Sequence, residues 1–370
     1  MIGSFRRAIV MAFAGALAAA LAACEAPPPQ TQQTGHRGTG MVQFKNPELA
    51  AYLKKANAVP PPPYPLEPSD APLAGEFYQN VQVLRDINAD EFNRLMLSIT
   101  EWVSPEQGCA YCHNTENMAS DEVYTKVVAR RMLQMTRTIN ASWTDHVKQT
   151  GVTCYTCHQG NPVPKAVWTK TPPEDRRGNF IGAKHEQNDP VKAVAFSSLP
   201  KDPFTPYLLG DEQIRAQGLT ALPSGNTASI PRVEKTYGLM MHMSDSLGVN
   251  CTYCHNTRDF GSWADSGPAR VTAWYGIRMV RALNNEYIEP LTPTFPANRL
   301  GPLGDPYKVN CTTCHQGVNK PLLGVSMLPD HPALAGYRNV AAAPADSNTV
   351  PVDAAAPAEP ASTPAAPTNR

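Results

Sequence analysis

One five-residue pattern, Cys-x-x-Cys-His, occurs four times in this chain of 370 residues and constrains it more than any other feature. The copies run from Cys109 to His113, Cys154 to His158, Cys251 to His255 and Cys311 to His315. In such a pattern two thiols bond the vinyl groups of a haem, and the following histidine reaches its iron. One copy could be an accident or half of a zinc site. Four copies, none followed by a second zinc-like cysteine pair, predict a cytochrome with four covalently bound c-type haems.

The residues that the pattern assigns fall into two groups. The predicted covalent attachment residues are Cys109, Cys112, Cys154, Cys157, Cys251, Cys254, Cys311 and Cys314. The predicted proximal iron ligands are His113, His158, His255 and His315. The iron of an electron carrier also needs a sixth ligand, which is usually Met or His.

The ninth cysteine, Cys24, has a different explanation. Haem attachment of this kind happens outside the cytoplasm, so the chain should be exported. Arg6 and Arg7 precede an apolar run from Ala8 to Ala23, which has the length of a signal peptide and is short for a membrane span of about 20 apolar residues. The run ends in Leu-Ala-Ala-Cys, which resembles a bacterial lipoprotein box. We therefore expect residues 1–23 to be a lipoprotein signal peptide and Cys24 to carry lipid at the membrane surface. The alternative is an ordinary signal peptide with a chance cysteine.

Composition favours long irregular loops, and apolar residues at helical spacing between them predict a mainly α-helical fold. The chain contains 37 Pro, and its formal net charge is zero, which argues against a nucleic-acid partner. The predicted organisation is a lipid anchor and Pro-rich extended strap over 24–75, a first haem-pair half over 76–165, a connector over 166–228, a second haem-pair half over 229–335 and a disordered Ala/Pro-rich tail over 336–370.

Apolar residues at helical spacing predict four helices. The first begins at Asn88, with Glu91 placed as in a capping box. The second runs from about Ser120 to Asn140, with Asp121 and Glu122 in its first turn. The third begins near Pro231, the fourth runs from near Pro268 to Leu283, and a short helix is expected in the connector near 211–218.

The four motifs also form an internal repeat. The first and third copies read Cys-Ala-Tyr-Cys-His-Asn and Cys-Thr-Tyr-Cys-His-Asn, whereas the second and fourth end in His-Gln-Gly. An Arg-Met pair precedes the second motif and another precedes the fourth. This order predicts two haem-pair halves related by duplication.

Methionines before the motifs are the candidate sixth ligands. Met96 precedes Cys109 by 13 residues, Met240 precedes Cys251 by 11, and Met132 precedes Cys154 by 22. A Met at helical spacing can equally be plain core, and Met135, Met241 and Met243 lie within a turn of the preferred positions. For the fourth haem, the repeat nominates Met279, while His146 lies eight residues before Cys154. From the residues alone this choice stays open.

With these motifs, Met spacings and the lipoprotein box, the region from Asn88 to Gly324 resembles the tetrahaem cytochrome subunit of purple-bacterial photosynthetic reaction centres. The resemblance implies Met96, Met132 and Met240 as distal ligands of haems one to three. It implies His146 as the distal ligand of haem four, which leaves Met279 to packing.

The resemblance also implies a function. Such a subunit lies on the periplasmic face of the membrane, bound to the core subunits that carry bacteriochlorophyll. It re-reduces the photo-oxidised bacteriochlorophyll pair, with the third haem nearest, and is itself reduced by a soluble cytochrome c or a high-potential iron–sulfur protein. It is an electron carrier and not an enzyme. Two rivals are a multihaem reductase, which needs an open iron site, and a quinol-oxidising membrane cytochrome, which needs a transmembrane anchor.

An acidic segment surrounds the first motif. Eight carboxylates and one opposing cation, Arg94, lie between Asp86 and Glu122. We expect a docking patch for a basic soluble donor, formed by Glu101, Glu106, Glu116, Asp121 and Glu122. The alternative is a merely solvated surface in which Glu91, Asp121 and Glu122 serve as helix caps.

Overall fold

The computed structural model describes residues 28–33, 42–172, 191–216 and 229–337. These residues are mainly helical with long loops, as the sequence predicts. The predicted signal peptide, Cys24 and almost all of the predicted disordered tail lie outside the described residues. None of the helices in these four ranges is long and apolar enough to cross a membrane.

Two short antiparallel strands open the described fold, β1 (Gln30–Gln33) and β2 (Val42–Lys45). The α-helices are α1 (Pro47–Ala56), α2 (Ala74–Phe77), α3 (Ala89–Val103), α4 (Tyr124–Ser142), α5 (Thr144–Val147), α6 (Cys154–His158), α7 (Ile230–Leu247), α8 (Ala269–Ala282) and α9 (Cys311–His315). Short 3₁₀ segments are Gly108–Tyr111, Lys192–Val194, Cys251–Tyr253, Glu289–Thr294, Ala297–Arg299, Pro321–Gly324, Leu328–Asp330 and Pro332–Leu334. Two π-helical segments are Thr205–Leu209 and Leu283–Ile288.

The chain forms two compact units, each holding two motifs. The first-pair unit comprises Pro61–Lys170, Arg278–Val309 and the described residues from Ser326 to Tyr337, and it contains the first and second motifs. The second-pair unit comprises the described residues up to Pro60, those within Thr171–Ile277, and Asn310–Val325, and it contains the third and fourth motifs. The predicted boundaries of the haem-pair halves stay a prediction.

In the first-pair unit, α3 and α4 each bury apolar side chains, among them Leu95 and Trp102 on α3 and Leu133 and Ile139 on α4. The Asn88 side chain accepts a hydrogen bond from the Glu91 amide at 2.8 Å, so α3 begins where the sequence predicts. Arg137 on α4 is fully buried and donates to the Asp86 carboxylate at 2.8 Å and to the backbone oxygens of Ala333 at 2.8 Å and Val83 at 2.9 Å. One guanidinium thus joins three segments of this unit.

The second helix of the first-pair unit starts later than predicted. Helix α4 begins at Tyr124, so Asp121 and Glu122 do not lie in its first turn. The Asp121 carboxylate instead accepts from Arg130 at 2.8 Å and pairs with Lys126 at 3.2 Å. These bonds stabilise turns in the residues before Tyr124, and local helix propensity does not predict such contacts.

In the second-pair unit, α7 packs against α9 and against the Lys192–Val194 turn. The segment from 191 to 209 contributes fully or nearly fully buried side chains, namely Val194, Phe204, Tyr207 and Leu208. This part of the predicted connector is therefore core of the unit. The prediction of a short helix near 211–218 is wrong for the described residues 211–216. A helical turn lies earlier instead, at Thr205–Leu209.

The predicted extended strap is only partly extended. It contains the strand pair and helix α1, which the Asn46 side chain caps by accepting from Glu48 N at 2.9 Å. Pro47 occupies the first helical position, where its missing amide hydrogen costs nothing. The described residues between α1 and α2, which include the four consecutive prolines, form no helix or strand.

Candidate haem-binding motifs

All four motif histidines make the same kind of hydrogen bond. In each ring Nδ1 lies within hydrogen-bond distance of a backbone oxygen a few residues later in the chain. The pairs are His113 with Met118 at 3.2 Å, His158 with Asn161 at 2.8 Å, His255 with Phe260 at 3.0 Å and His315 with Val318 at 3.1 Å. A carbonyl oxygen only accepts, so Nδ1 carries the proton and Nε2 keeps its lone pair for a metal. This hydrogen bond orients a ligating histidine and makes it more basic.

The first and third motifs share one local conformation. Both begin with a 3₁₀ turn, and in both the acceptor oxygen lies five residues after the histidine. A basic side chain near the start of the following helix holds the loop. Lys126 donates to the Met118 oxygen at 2.8 Å, and Arg270 donates to the Ser262 oxygen at 2.6 Å.

The second and fourth motifs share another conformation. They form the one-turn helices α6 and α9, each closed by a capping box in which the threonine before the second cysteine accepts from the N-cap amide. These bonds are Thr153 N to Thr156 Oγ1 and Asn310 N to Thr313 Oγ1, both at 2.9 Å. The glutamine that follows each histidine adopts the left-handed helical backbone conformation, with φ of 44° at Gln159 and 47° at Gln316.

The glycine after that glutamine docks each of these motifs onto a longer helix. Gly160 N donates to the Trp102 oxygen on α3 at 2.7 Å, and Gly317 N donates to the Ser246 oxygen on α7 at 2.8 Å. Trp102 lies six residues after Met96, and Ser246 lies six residues after Met240. The helix that carries a candidate Met is therefore docked on the second motif of its own unit by the same hydrogen bond in both units.

The three candidate methionines differ in burial from their main rivals. Met96 on α3, Met132 on α4 and Met240 on α7 are all partly exposed. Met135 and Met279, in contrast, are 8% and 5% exposed and are packed into the protein. Partly exposed thioethers fit ligands of a large planar group, and buried ones fit packing. The alternatives Met241 and Met243 are also partly exposed, so burial does not separate them from Met240.

The residues nominated for the fourth haem belong to a different unit from its motif. His146 lies on α5 in the first-pair unit and is half-buried, and Met279 lies in the same unit. The fourth motif lies in the second-pair unit. The choice between His146 and Met279 stays a prediction.

Burial also controls the protonation of motif side chains. It lowers the pKa of His158 and of His255, which keeps these rings neutral as iron ligation requires. It raises the pKa of the Cys154 and Cys311 thiols to about 12. None of the eight motif cysteines forms a disulfide.

Only some carboxylates of the acidic segment are exposed to solvent. Glu101, Glu106, Glu116, Asp121 and Glu122 are exposed, as the docking hypothesis requires. Two other members of the segment, Asp86 and Glu91, are buried, so the expected cluster of negative charge is smaller than the sequence count. The hydrogen bond from Arg130 lowers the pKa of Asp121 well below its usual range and offsets its charge. The capping alternative is wrong for Asp121 and Glu122, because both precede the start of α4.

Three polar residues whose burial the sequence did not predict lie on or beside these helices. His242 on α7 is 3% exposed, and its Nε2 lies 3.2 Å from Ser246 Oγ, which in turn lies 2.6 Å from Thr312 Oγ1 in the fourth motif. His331 and Arg94 are 3% and 2% exposed in the first-pair unit. Burial lowers the pKa of both histidines to about 4. No local pattern distinguishes such residues from surface ones.

Four Cys-x-x-Cys-His motifs with their imidazoles oriented for iron place the chain in the class of c-type cytochromes. Comparison with known proteins narrows this class. The family model described as photosynthetic reaction centre cytochrome c subunit matches residues 25–335.

Three relatives carry the name photosynthetic reaction center cytochrome c subunit. The one from Rubrivivax gelatinosus is 54% identical over 89% of this chain and 89% of its own length. The one from Thermochromatium tepidum is 50% identical over 91% of this chain and 82% of its own length. The one from Roseobacter denitrificans is 39% identical over 83% of this chain and 86% of its own length.

The chain belongs to the family of photosynthetic reaction centre cytochrome c subunits. It is an electron-transfer subunit with covalently bound c-type haem, and it is not an enzyme. As a reaction-centre subunit it associates with the reaction-centre core and hence with the membrane.

The two docking glycines provide a matched test of this geometry. Both have positive φ, 78° at Gly160 and 86° at Gly317, so alanine at either position should cost about 1–2 kcal/mol of stability. A Cβ at Gly317 would also lie 3.0 Å from Leu53 Cδ2, whereas at Gly160 the nearest atom is 3.9 Å away. We expect Gly317→Ala to lower the thermal midpoint of the holoprotein more than Gly160→Ala. Equal midpoints for the two variants would contradict the packing of α1 on the fourth motif.

Proposed function

We propose that this chain binds four haems and re-reduces the photo-oxidised bacteriochlorophyll special pair from the periplasmic face of the membrane. The observation that carries the proposal is the common state of the four motif histidines, in each of which Nδ1 donates its proton to a backbone oxygen and Nε2 is the unprotonated nitrogen. When bound, haem iron takes up and releases one electron at a time. The chain's contribution is to hold four such groups in fixed places, with side chains that set their relative potentials.

The proposed distal ligands are Met96, Met132, Met240 and His146, paired with the first, second, third and fourth motifs. Partial exposure of the three methionines supports their role, and the burial of Met279 supports packing for that residue. A thioether favours the reduced iron and raises its potential, whereas a second imidazole lowers it. Three sites of higher potential and one of lower potential are therefore expected.

Exchange of the distal ligands tests this set. His146→Met should raise one low midpoint potential by on the order of 0.1 V, a fraction of the roughly 0.8 V that axial ligands span. Met96→Leu should lower one high potential with all haems still attached, because the thioether bonds to cysteine do not depend on the sixth ligand. The measurement is an equilibrium redox titration followed in the visible absorption bands.

Met279→Leu is the matched control, because it alters a buried methionine in the same unit as His146. Its four potentials should stay close to those of the native protein. A shift of the lowest potential in Met279→Leu, with none in His146→Met, would reverse the assignment of the fourth haem.

We further propose that a soluble cytochrome c or a high-potential iron–sulfur protein reduces the subunit near the first motif. The exposed acids Glu101, Glu106 and Glu116 support docking of a basic donor, since none of them forms an ion pair within the described residues. Asp121 and Glu122 contribute less, because Arg130 and Lys126 pair with the first and Asn114 donates to the second. Complementary fields of this kind raise association rates and are weakened by salt.

Charge reversal tests the docking patch. Changing Glu101, Glu106 and Glu116 to Lys should slow re-reduction by a basic cytochrome about tenfold at low ionic strength, the lower end of known electrostatic steering. The effect should shrink above about 0.1 M salt, where the screening length falls to roughly 10 Å. Flash photolysis of intact reaction centres measures both this step and electron transfer to the special pair, which should not change.

The control is the triple variant Glu48→Lys, Glu67→Lys and Asp245→Lys, which removes the same charge from exposed positions elsewhere. It should leave the donor reaction near the native rate. Equal slowing by the two triple variants would point to net charge instead of a local patch.

The proposed attachment to the membrane is a lipid on Cys24, after removal of residues 1–23. The supporting observation is the Leu-Ala-Ala-Cys sequence at the end of the apolar run from Ala8 to Ala23. Mass spectrometry of the N-terminal peptide should find Cys24 at the N-terminus with acyl chains. A mature N-terminus at any other residue would exclude the lipoprotein.

A further inference from the structure

Arg94 is a buried cation with an unused donor. Its side chain, on α3 in the first-pair unit, is 2% exposed. Its Nε donates to the Tyr64 oxygen at 2.8 Å, its Nη1 donates to the Asp330 oxygen, and its Nη1 lies 3.5 Å from His331 Nδ1. Its Nη2 has no hydrogen-bond partner among the residues that the structure describes.

All the groups that contact this guanidinium are neutral. Two are backbone oxygens, and a third is the Tyr64 ring, whose centroid lies 5.9 Å from Arg94 Cζ. The fourth is the His331 imidazole, whose pKa is lowered to about 4 by burial and by the nearby Arg94 charge, so that it stays unprotonated. No acceptor of the described residues, carboxylate or otherwise, forms a hydrogen bond with Nη2. Arginine does not lose its proton in proteins, so a positive charge is buried here with one donor unsatisfied.

Arg137 in the same unit shows how this chain otherwise treats such a group. It is equally buried, and its guanidinium meets the Asp86 carboxylate at 2.8 Å. A buried charge is costly without an anion and hydrogen bonds for all its donors. Arg94 therefore lacks one anionic acceptor, positioned at Nη2.

The surroundings of Arg94 indicate which motif that anion belongs to. Arg94, Ser98 and Trp102 recur every four residues along the buried face of α3, and the Trp102 oxygen accepts from Gly160 beside the second motif. Met96 is displaced from this row and is partly exposed.

The segment that contacts the Arg94 guanidinium also contacts the entrance to the second motif. Ser326 Oγ donates to the Thr150 oxygen at 2.8 Å, and Thr153 Oγ1 donates to Met327 Sδ at 3.3 Å. The Asp330 oxygen and His331, which meet Arg94, follow within four residues. The buried guanidinium thus lies on the side of α3 that is packed on the second motif.

We infer that Arg94 donates from Nη2 to a propionate carboxylate of the haem attached at Cys154 and Cys157. This inference rests on the proposed function, since it requires a haem at the second motif. A propionate supplies the missing anionic acceptor, and the paired charge disfavours the oxidised iron nearby. Arg94 is thus a binding residue for that haem and raises its midpoint potential.

The test is Arg94→Gln in the full haem-loaded protein, with two readouts. Redox titration should show at least a tenfold fall in the equilibrium constant for reducing one haem, which for one electron is about 59 mV. Low-frequency resonance Raman should show a shifted propionate bending mode. Arg85→Gln, which removes an exposed cation from the same unit, should change neither.

Met132→His identifies the affected haem, because a second imidazole lowers only the potential of the iron it meets. If Met132→His moves no potential, the proposed ligand set has failed. If it moves one potential and Arg94→Gln moves none, or moves another, the inference about Arg94 is overturned. If Arg94→Gln does not accumulate with its haems, Arg94→Lys is measured instead. Lysine keeps the positive charge but lacks the planar guanidinium with its several donors. An unchanged propionate mode in Arg94→Lys would also overturn the inference.

Discussion

The hydrogen bond from each motif histidine to a backbone oxygen is the constraint on which the rest of the arrangement depends. It settles which ring nitrogen faces the iron, and it does so with an acceptor only three or five residues away in the chain. Everything that supports the acceptor therefore supports the iron ligand. Lys126 and Arg270 hold two of these loops, and capping boxes with left-handed glutamines shape the other two.

A second level of organisation lies in how each unit docks its helices. In one unit a glycine amide just after the second motif, and in the other a glycine amide just after the fourth motif, donates to a backbone oxygen six residues after a candidate Met. A backbone hydrogen bond tolerates no displacement beyond a few tenths of an ångström. It therefore fixes a motif and the helix that carries the candidate Met in one geometry. The agreement of this bond in the two units supports the predicted duplication, and it explains why glycine stands at Gly160 and Gly317.

Charge is treated differently inside the units and at their surface. Arg137 is buried with its anion, and Arg94 is buried without one, which is the basis for assigning it a haem propionate. The sequence counts Arg94 as the cation opposing an acidic surface, but it lies in the interior with Asp86 and Glu91. The acids that remain exposed are consequently fewer than the linear count suggests, and one of them, Asp121, is paired with Lys126 and Arg130. A donor would meet this smaller set.

The sequence by itself determined the cofactor chemistry, the pairing of the motifs and the positions of the long helices, because these depend on covalent spacing and on local periodicity. It predicted the starts of α3 and α7 within one residue, since caps and prolines act locally. The tertiary structure decided the late start of α4, the burial of 191–209 against α7 and the burial of His242, His331 and Arg94. These features depend on partners far away in the chain, such as Asp330 for Arg94 and Thr312 for Ser246 beside His242. Burial of a polar side chain depends on which distant segment covers it, and a local sequence pattern does not predict that contact.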